Sequence, residues 1–208
     1  MTYSIVSFDP HNRFIGIGTV SGSIAVGSRV PWAKYPYGGV ATQAYTNPSH
    51  GPRILELLSK GESAKNALSI SLKQDPFPEK RQVAVASWRY GLAAYSGRGI
   101  PLEKGEYIGT YSVCIGNLLT NKTIPMTVCE YFENKAHEIN TPRTYAEILL
   151  EALMKGHELG GDKRGDQTLA ILVVGETEYS PYYDKLIDIR VDLDPDPFEK
   201  ALKILDKL

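Results

Sequence analysis

The order of apolar periodicities along the chain is what most restricts its fold. Residues 3–8 are short and β-prone, and Asp9-Pro10-His11-Asn12 is turn chemistry, because proline fixes φ and the Asp and Asn side chains bond locally. Strand character resumes at residues 14–20, where Phe14, Ile15 and Ile17 interleave with Gly16 and Gly18, so the chain is expected to open with a hairpin. A third strand is expected at residues 39–44. Ile54, Leu57 and Leu58 then form one helical stripe, entered through Asn47-Pro48-Ser49 and ended at Gly61. Ala64, Ala67, Leu68 and Leu72 form a second, capped near Ser63. Three strands follow at residues 81–88, 91–96 and 107–115, then two helices at 124–134 and 144–155. Strands at 169–174 and 186–191 and a helix begun by Pro197 complete the pattern. The order βββαα-βββαα-ββ-α lacks the strand–helix alternation of a parallel sheet. It predicts an α+β fold, a four-layer αββα sandwich of two antiparallel sheets flanked by helices. Glycine inside a strand marks close backbone approach, so Gly16, Gly18, Gly38 and Gly39 predict crowding by another layer.

Length and charge narrow the function classes. At 208 residues the chain is expected to be a single domain spanning 1–208, large enough to bury on the order of 70% of its unfolded surface. With 23 basic and 24 acidic side chains and no charge block at either tail, it lacks the basic face of a nucleic-acid module. The longest apolar run, Leu169 to Val174, is six residues, where a membrane helix needs about 20. The N-terminus has no basic region and meets Asp9 before an apolar stretch can form, which predicts a cytoplasmic protein. Cys114 and Cys129 fit neither a disulfide framework nor a Cys-x-x-Cys site.

Most catalytic and cofactor motifs fail. Gly16, Gly18 and Gly22 place the third glycine one position too late for a dinucleotide loop, and no helix follows at once. There is no phosphate-binding Gly-x-x-x-x-Gly-Lys loop and no Gly-x-Ser-x-Gly elbow. His137-Glu138 and His157-Glu158 have no second His four residues from the first, and Asp192, Asp194 and Asp196 meet Pro197 where a calcium loop requires Gly. No cofactor and no metal site is predicted.

The first residue able to carry chemistry is Thr2. Removal of Met1 would leave a free α-amine beside a Thr hydroxyl, a nucleophile and its base in one residue. An α-amine of pKa about 7.7–8.0 is roughly 10–20% neutral at pH 7, and a nearby cation that lowers it by about one unit makes it mostly neutral. The segment from Ser21 to Lys34 reads as a polar, glycine-rich loop in which Ser21, Ser23 and Trp32 can wall a substrate pocket and Lys34 is the candidate tuning cation. Thr46 and Asn47 can bond a substrate or cap the helix that follows. Asn117, at a strand end, is a candidate oxyanion donor. Gly160-Gly-Asp-Lys-Arg-Gly165 places Asp162 and Arg164 in a charged loop entering a buried strand, where they serve a substrate or a structural Asp–Arg network.

Thr2-Tyr-Ser-Ile-Val, Ala25-Val-Gly-Ser-Arg-Val-Pro-Trp-Ala-Lys34, Ala41-Thr-Gln-Ala-Tyr-Thr-Asn-Pro-Ser-His-Gly51, Arg81-Gln-Val83, Gly116-Asn-Leu118, the Gly160–Gly165 block and Asp188-Ile-Arg-Val-Asp192 resemble the signature blocks of the domain of unknown function 1028 family. The match spans essentially the whole chain. That family is similar in fold to the N-terminal-nucleophile hydrolases, so the resemblance implies an amidohydrolase-type αββα scaffold with Thr2 in the nucleophile's place. Proteasome β-subunits of that superfamily place a Lys 32 residues after the catalytic Thr, a spacing that lands on Lys34, and an Asp before a late strand, where Asp162 stands. The expected activity is hydrolysis of an amide or peptide-like bond of a small molecule by a homo-oligomer. The alternatives are a non-catalytic ligand-binding or assembly protein on the same fold, and a metal-dependent hydrolase using Asp162, Asp166 or Asp192.

Overall fold

Every strand pairing among the described residues is antiparallel. The computed structural model describes residues 2–101 and 103–208; Met1, whose removal the sequence predicts, lies outside them. The chain opens with the expected hairpin, β1 (Thr2–Phe8) and β2 (Phe14–Ser21), then adds β3 (Pro31–Lys34) and β4 (Gly38–Ala44) before helices α1 (His50–Ser59) and α2 (Ala64–Lys73). Strands β5 (Arg81–Ser87), β6 (Gly91–Ser96), β7 (Lys104–Ile108) and β8 (Ser112–Asn117) precede α3 (Ile124–Lys135) and α4 (Pro142–Glu158). The chain ends with β9 (Thr168–Gly175), β10 (Lys185–Val191) and α5 (Pro197–Leu205).

One sheet has six strands in the order β10-β9-β2-β1-β8-β7, the other four in the order β3-β4-β5-β6. Helices α3, α4 and α5 pack on the larger sheet and α1 and α2 on the smaller, while β1, β2 and β8 face β4 and β5. Each interface has its own apolar core. Tyr3, Ile5, Cys114 and Ile171 meet Phe132, Tyr145 and Leu149 under the outer helices; Val6, Ile17, Ala41, Ala84 and Ile115 fill the space between the sheets; Val40, Val83 and Val85 meet Ile54, Leu58 and Leu68. The period of two along β1 explains the division: Tyr3 and Ile5 point to the helices, Val6 and Phe8 to the other sheet.

The strand glycines are where layers touch. A Cβ on Gly16 would lie 2.6 Å from Tyr145 Cζ of α4, and one on Gly39 would lie 2.9 Å from Val6 Cγ1 of the facing sheet. Two expectations are corrected. The segment from Ser21 to Lys34 is not one loop: a short 3-10 turn at Val26–Ser28 leads into edge strand β3. The single strand expected at residues 107–115 is two strands, β7 and β8, paired with each other. Among the described residues no helix is long and apolar enough to cross a membrane.

Candidate active site

The space between the sheets is apolar toward one end and polar at the other. Thr2, Ser4, Thr19, Ser21, Gln43, Gln82 and Asn117 are all buried and linked there. Thr2 is in register with Ser21 of β2 on one side and Asn117 of β8 on the other. Its Oγ1 lies 3.0 Å from Ser21 Oγ, and its carbonyl accepts a hydrogen bond from Gln43 Nε2 at 3.0 Å. Gln43 Oε1 accepts from Ser4 Oγ at 2.7 Å, which leaves Thr19 Oγ1 to donate to Ser4 Oγ at 3.0 Å.

Backbone carbonyls orient the amides of this network. Gln82 Nε2 donates to Gly116 O at 2.9 Å and Gly105 O at 3.2 Å, groups that only accept. Its Oε1 must therefore face Gln43 Nε2 at 2.9 Å and Asn117 Nδ2 at 3.0 Å, both of which donate. Asn117 has no other side-chain partner among the described residues, is 2% exposed, and lines a cavity of about 270 Å³ with Ser23, Tyr45, Lys80, Leu118 and Arg164. Asn117 Nδ2 carries a second N–H beyond the one given to Gln82.

Backbone strain collects at the same wall. Ala44 and Leu118, the residues after Gln43 and Asn117, both line the cavity and have φ of 69° and 52°. A left-handed backbone costs a non-glycine residue roughly 1–2 kcal/mol, and such strain collects at functional sites.

The loop from Gly160 to Gly165 closes the polar end. Asp162 is 2% exposed; its Oδ2 accepts from Gly22 N at 2.6 Å and from Arg164 Nη2 at 3.1 Å, and its Oδ1 from Arg164 N at 2.8 Å. Behind it, Asp166 Oδ1 accepts from Asp162 N at 3.0 Å, while Oδ2 accepts from Tyr3 Oη at 2.9 Å and His157 Nδ1 at 2.8 Å. Burial, then the Asp166 carboxylate, holds the Tyr3 phenol well above its ordinary value, so it stays a hydrogen-bond donor. Arg190 takes up the Asp192 carboxylate, and among the described residues no three His, Cys, Asp or Glu side chains gather as a metal site would require.

The structure therefore brings Thr2, Ser21, Ser23, Asn117, Asp162 and Arg164 to one end of the sheets. The others lie elsewhere. Lys34 pairs with Gly38 at the hairpin between β3 and β4, five residues from Gln43 along β4; at about 3.4 Å per residue that is roughly 17 Å from the contact with Thr2. Its Nζ lies 5.8 Å from the Tyr37 ring, and no cation is delivered to Thr2 by the 32-residue spacing. The charged pair next to the Thr2–Ser21 contact is Asp162–Arg164. Trp32 donates Nε1–H to Arg29 O at 3.0 Å, packs on Gly51, and lines a separate groove with Lys34 and Tyr182.

Asn47 is used by the protein itself. Its Nδ2 donates to Asp75 Oδ2 at 2.8 Å, and its Oδ1 accepts from Ser49 Oγ at 2.8 Å. Thr46 follows Tyr45 and takes no part in the cavity lining. Gln82 and Lys80 are not singled out as site residues by the sequence, and Asp166 is named there only as a candidate of the metal-dependent alternative. The readable signal for Gln82 is a lone amide in the buried run Gln-Val-Ala-Val-Ala; Lys80 carries none.

A family model described as a family of unknown function, DUF1028, matches residues 2–201. Among curated proteins none matches the chain. The crystal structure of protein SPO2555 from Silicibacter pomeroyi, described under the same family model, superposes with a TM-score of 0.84 at 24% identity, over 99% of this chain and 88% of that one. At that identity the likeness shows a shared fold. The family match covers nearly the whole chain, and the protein belongs to the DUF1028 family.

Proposed function

We propose that the protein is a cytoplasmic N-terminal-nucleophile amidohydrolase that cleaves an amide or peptide-like bond of a small molecule, on the four-layer αββα scaffold of that superfamily. The placement of Thr2 carries this reading. Its hydroxyl sits at the start of a central strand, in register with Asn117, which lines the cavity and has a second amide N–H beyond the one given to Gln82. Once Met1 is removed, Thr2 Oγ attacks the substrate carbonyl and its proton passes to the Thr2 amine. The Asn117 Nδ2–H stabilises the oxyanion. Collapse breaks the C–N bond, and the ammonium returns its proton to the leaving amine. Water then hydrolyses the Thr2 ester, releasing a carboxylic acid and restoring the hydroxyl. Asp162 and Arg164 border the nucleophile and hold the turn at Gly22; Gln43 fixes the Thr2 carbonyl.

Intact-mass analysis of protein purified from its own source, with turnover of an amide panel by the wild type and Thr2→Ala, tests the reading. Loss of Met1 and abolished turnover in the variant are expected. A retained Met1, or turnover undiminished by Thr2→Ala, overturns it. Ligand-induced melting shifts without turnover would favour a binding protein on the same fold.

A further inference from the structure

The cavity beside Asn117 carries a charge that the proposed chemistry does not use. Lys80 and Arg164 both line it, and among the described residues no carboxylate does. Arg164 is ion-paired with Asp162, whose oxygens also hold Gly22. Lys80 is different. Among the described residues no carboxylate lies within ion-pairing distance of it; its Nζ stands 4.7 Å from the Phe77 ring centroid and 5.9 Å from that of Tyr45. Aromatic faces attract an ammonium without cancelling its charge. The cavity lining thus combines a buried amide, Asn117, an exposed cation, Lys80, and the apolar Ile100 and Leu118. Walls carrying one sign of charge concentrate counter-ions of the other.

We infer that this cavity binds a small anionic substrate, an amide bearing a carboxylate, with the carboxylate against Lys80 and the amide carbonyl at Asn117. The bond that is cut rests on the amidohydrolase reading; the preference for an anion rests on the cavity wall and is tested apart from it. The cavity has a volume of about 270 Å³.

N-acetylglycine and N-acetylglycinamide have the same number of non-hydrogen atoms and differ in charge, which makes them the probes. Calorimetric titration of the full chain should show the acid binding about tenfold or more tightly than the amide, as expected for a hydrogen bond to a charged group. The advantage should shrink with added salt and disappear in Lys80→Gln. It should persist in Lys203→Gln, which removes the same charge from α5, outside the cavity lining. Melting curves establish that both variants are folded. Equal binding of the two probes, no saturable binding of either, or an acid preference that survives Lys80→Gln overturns the inference. Thr2→Ala separates the two claims. If that variant still hydrolyses amides, the reaction assigned to Thr2 falls, while the probe preference continues to decide the anion site.

Discussion

Gln82 is a single side chain that fixes the orientation of two others. Its two amide hydrogens are committed to backbone carbonyls and Ser96, so its oxygen must serve both Gln43 and Asn117. Gln82→Leu would take one hydrogen bond from Gly116 O and leave one N–H each of Gln43 and Asn117 without the partner it has in a buried place. At about 1–3 kcal/mol for each unsatisfied group, partly relaxed, urea denaturation should register a loss of about 2–4 kcal/mol. Asn117→Ala should spare more of the stability but lower kcat by about 10²–10³ with little change in KM, since an oxyanion contact forms only in the transition state. Ala44→Gly removes a left-handed strain of roughly 1–2 kcal/mol against a glycine entropy cost of about 0.5–1 kcal/mol. A slight gain in melting temperature is expected. Residues at strand ends and in glycine-rich loops (Thr2, Ser21, Asn117 and Asp162) could be singled out from sequence. Lys80 could not, because only the pairing of β4 with β5 brings it near Tyr45.

At the level of elements, helices α1 and α2 are tied to the four-stranded sheet by a buried cluster around His50. Asp75 Oδ2 accepts from His50 Nε2 at 2.8 Å, Arg81 Nε at 2.8 Å and Asn47 Nδ2 at 2.8 Å. The carboxylate only accepts, so His50 donates through Nε2 and its neutral Nδ1 accepts from Ser71 Oγ at 2.7 Å. This is why Asn47 is unavailable to a substrate, a use no local reading of Asn-Pro-Ser could reveal. Burial holds the His50 imidazole below its ordinary 6.5, opposed in part by Asp75. The stability supplied by the neutral ring is therefore complete above pH 6.5 and is lost as pH falls below it toward the folded value. Arg81 keeps Asp75 well below the ordinary carboxylate range, so the Asp75 contribution persists until far more acidic pH. Unfolding free energy measured between pH 7.5 and 5 should fall by at most about 1.4 kcal/mol per pH unit for this one proton. His50→Gln should be less stable at pH 7.5 yet show a flatter profile; an unchanged slope would exclude His50 as its source. Element types were otherwise legible from apolar periodicity. Strand β3 escaped because Pro31 and Lys34 read as loop, and the β7–β8 turn escaped because Ile108 and Tyr111 extend a strand-like pattern across Gly109 and Thr110.

Across the whole molecule, the layered arrangement was readable because glycines interrupt strands that are otherwise built of large residues. Their contacts show which layer each one admits. Gly16 and Gly18 both face α4: a Cβ would lie 2.6 Å from Tyr145 Cζ at the first and 2.7 Å from Leu153 Cδ1 at the second. Gly39 faces the opposite sheet, with Val6 Cγ1 at 2.9 Å. The neighbours differ in how far they can yield. Tyr145 is fully buried, and its hydroxyl is bonded to Ser7 Oγ at 2.8 Å, so its ring is held in place. Leu153, also buried, meets the added Cβ first with the Cδ1 end of its side chain, which has no hydrogen bond to hold it there. Overpacking of a core costs about 1–3 kcal/mol, and Gly16→Ala should fall at the upper end of that range, with Gly18→Ala below it. Coupling then distinguishes a layered molecule from a uniform core. Gly16→Ala and Gly18→Ala push the same helix from the same sheet, so their costs should combine to less than their sum. Gly18→Ala and Gly39→Ala act at different interfaces and should add within about 0.5 kcal/mol. Denaturation of the three single and two double variants measures both couplings. Strong coupling between Gly18 and Gly39 would mean that strain crosses the six-stranded sheet, and that the helices and the facing sheet do not pack against it as independent layers.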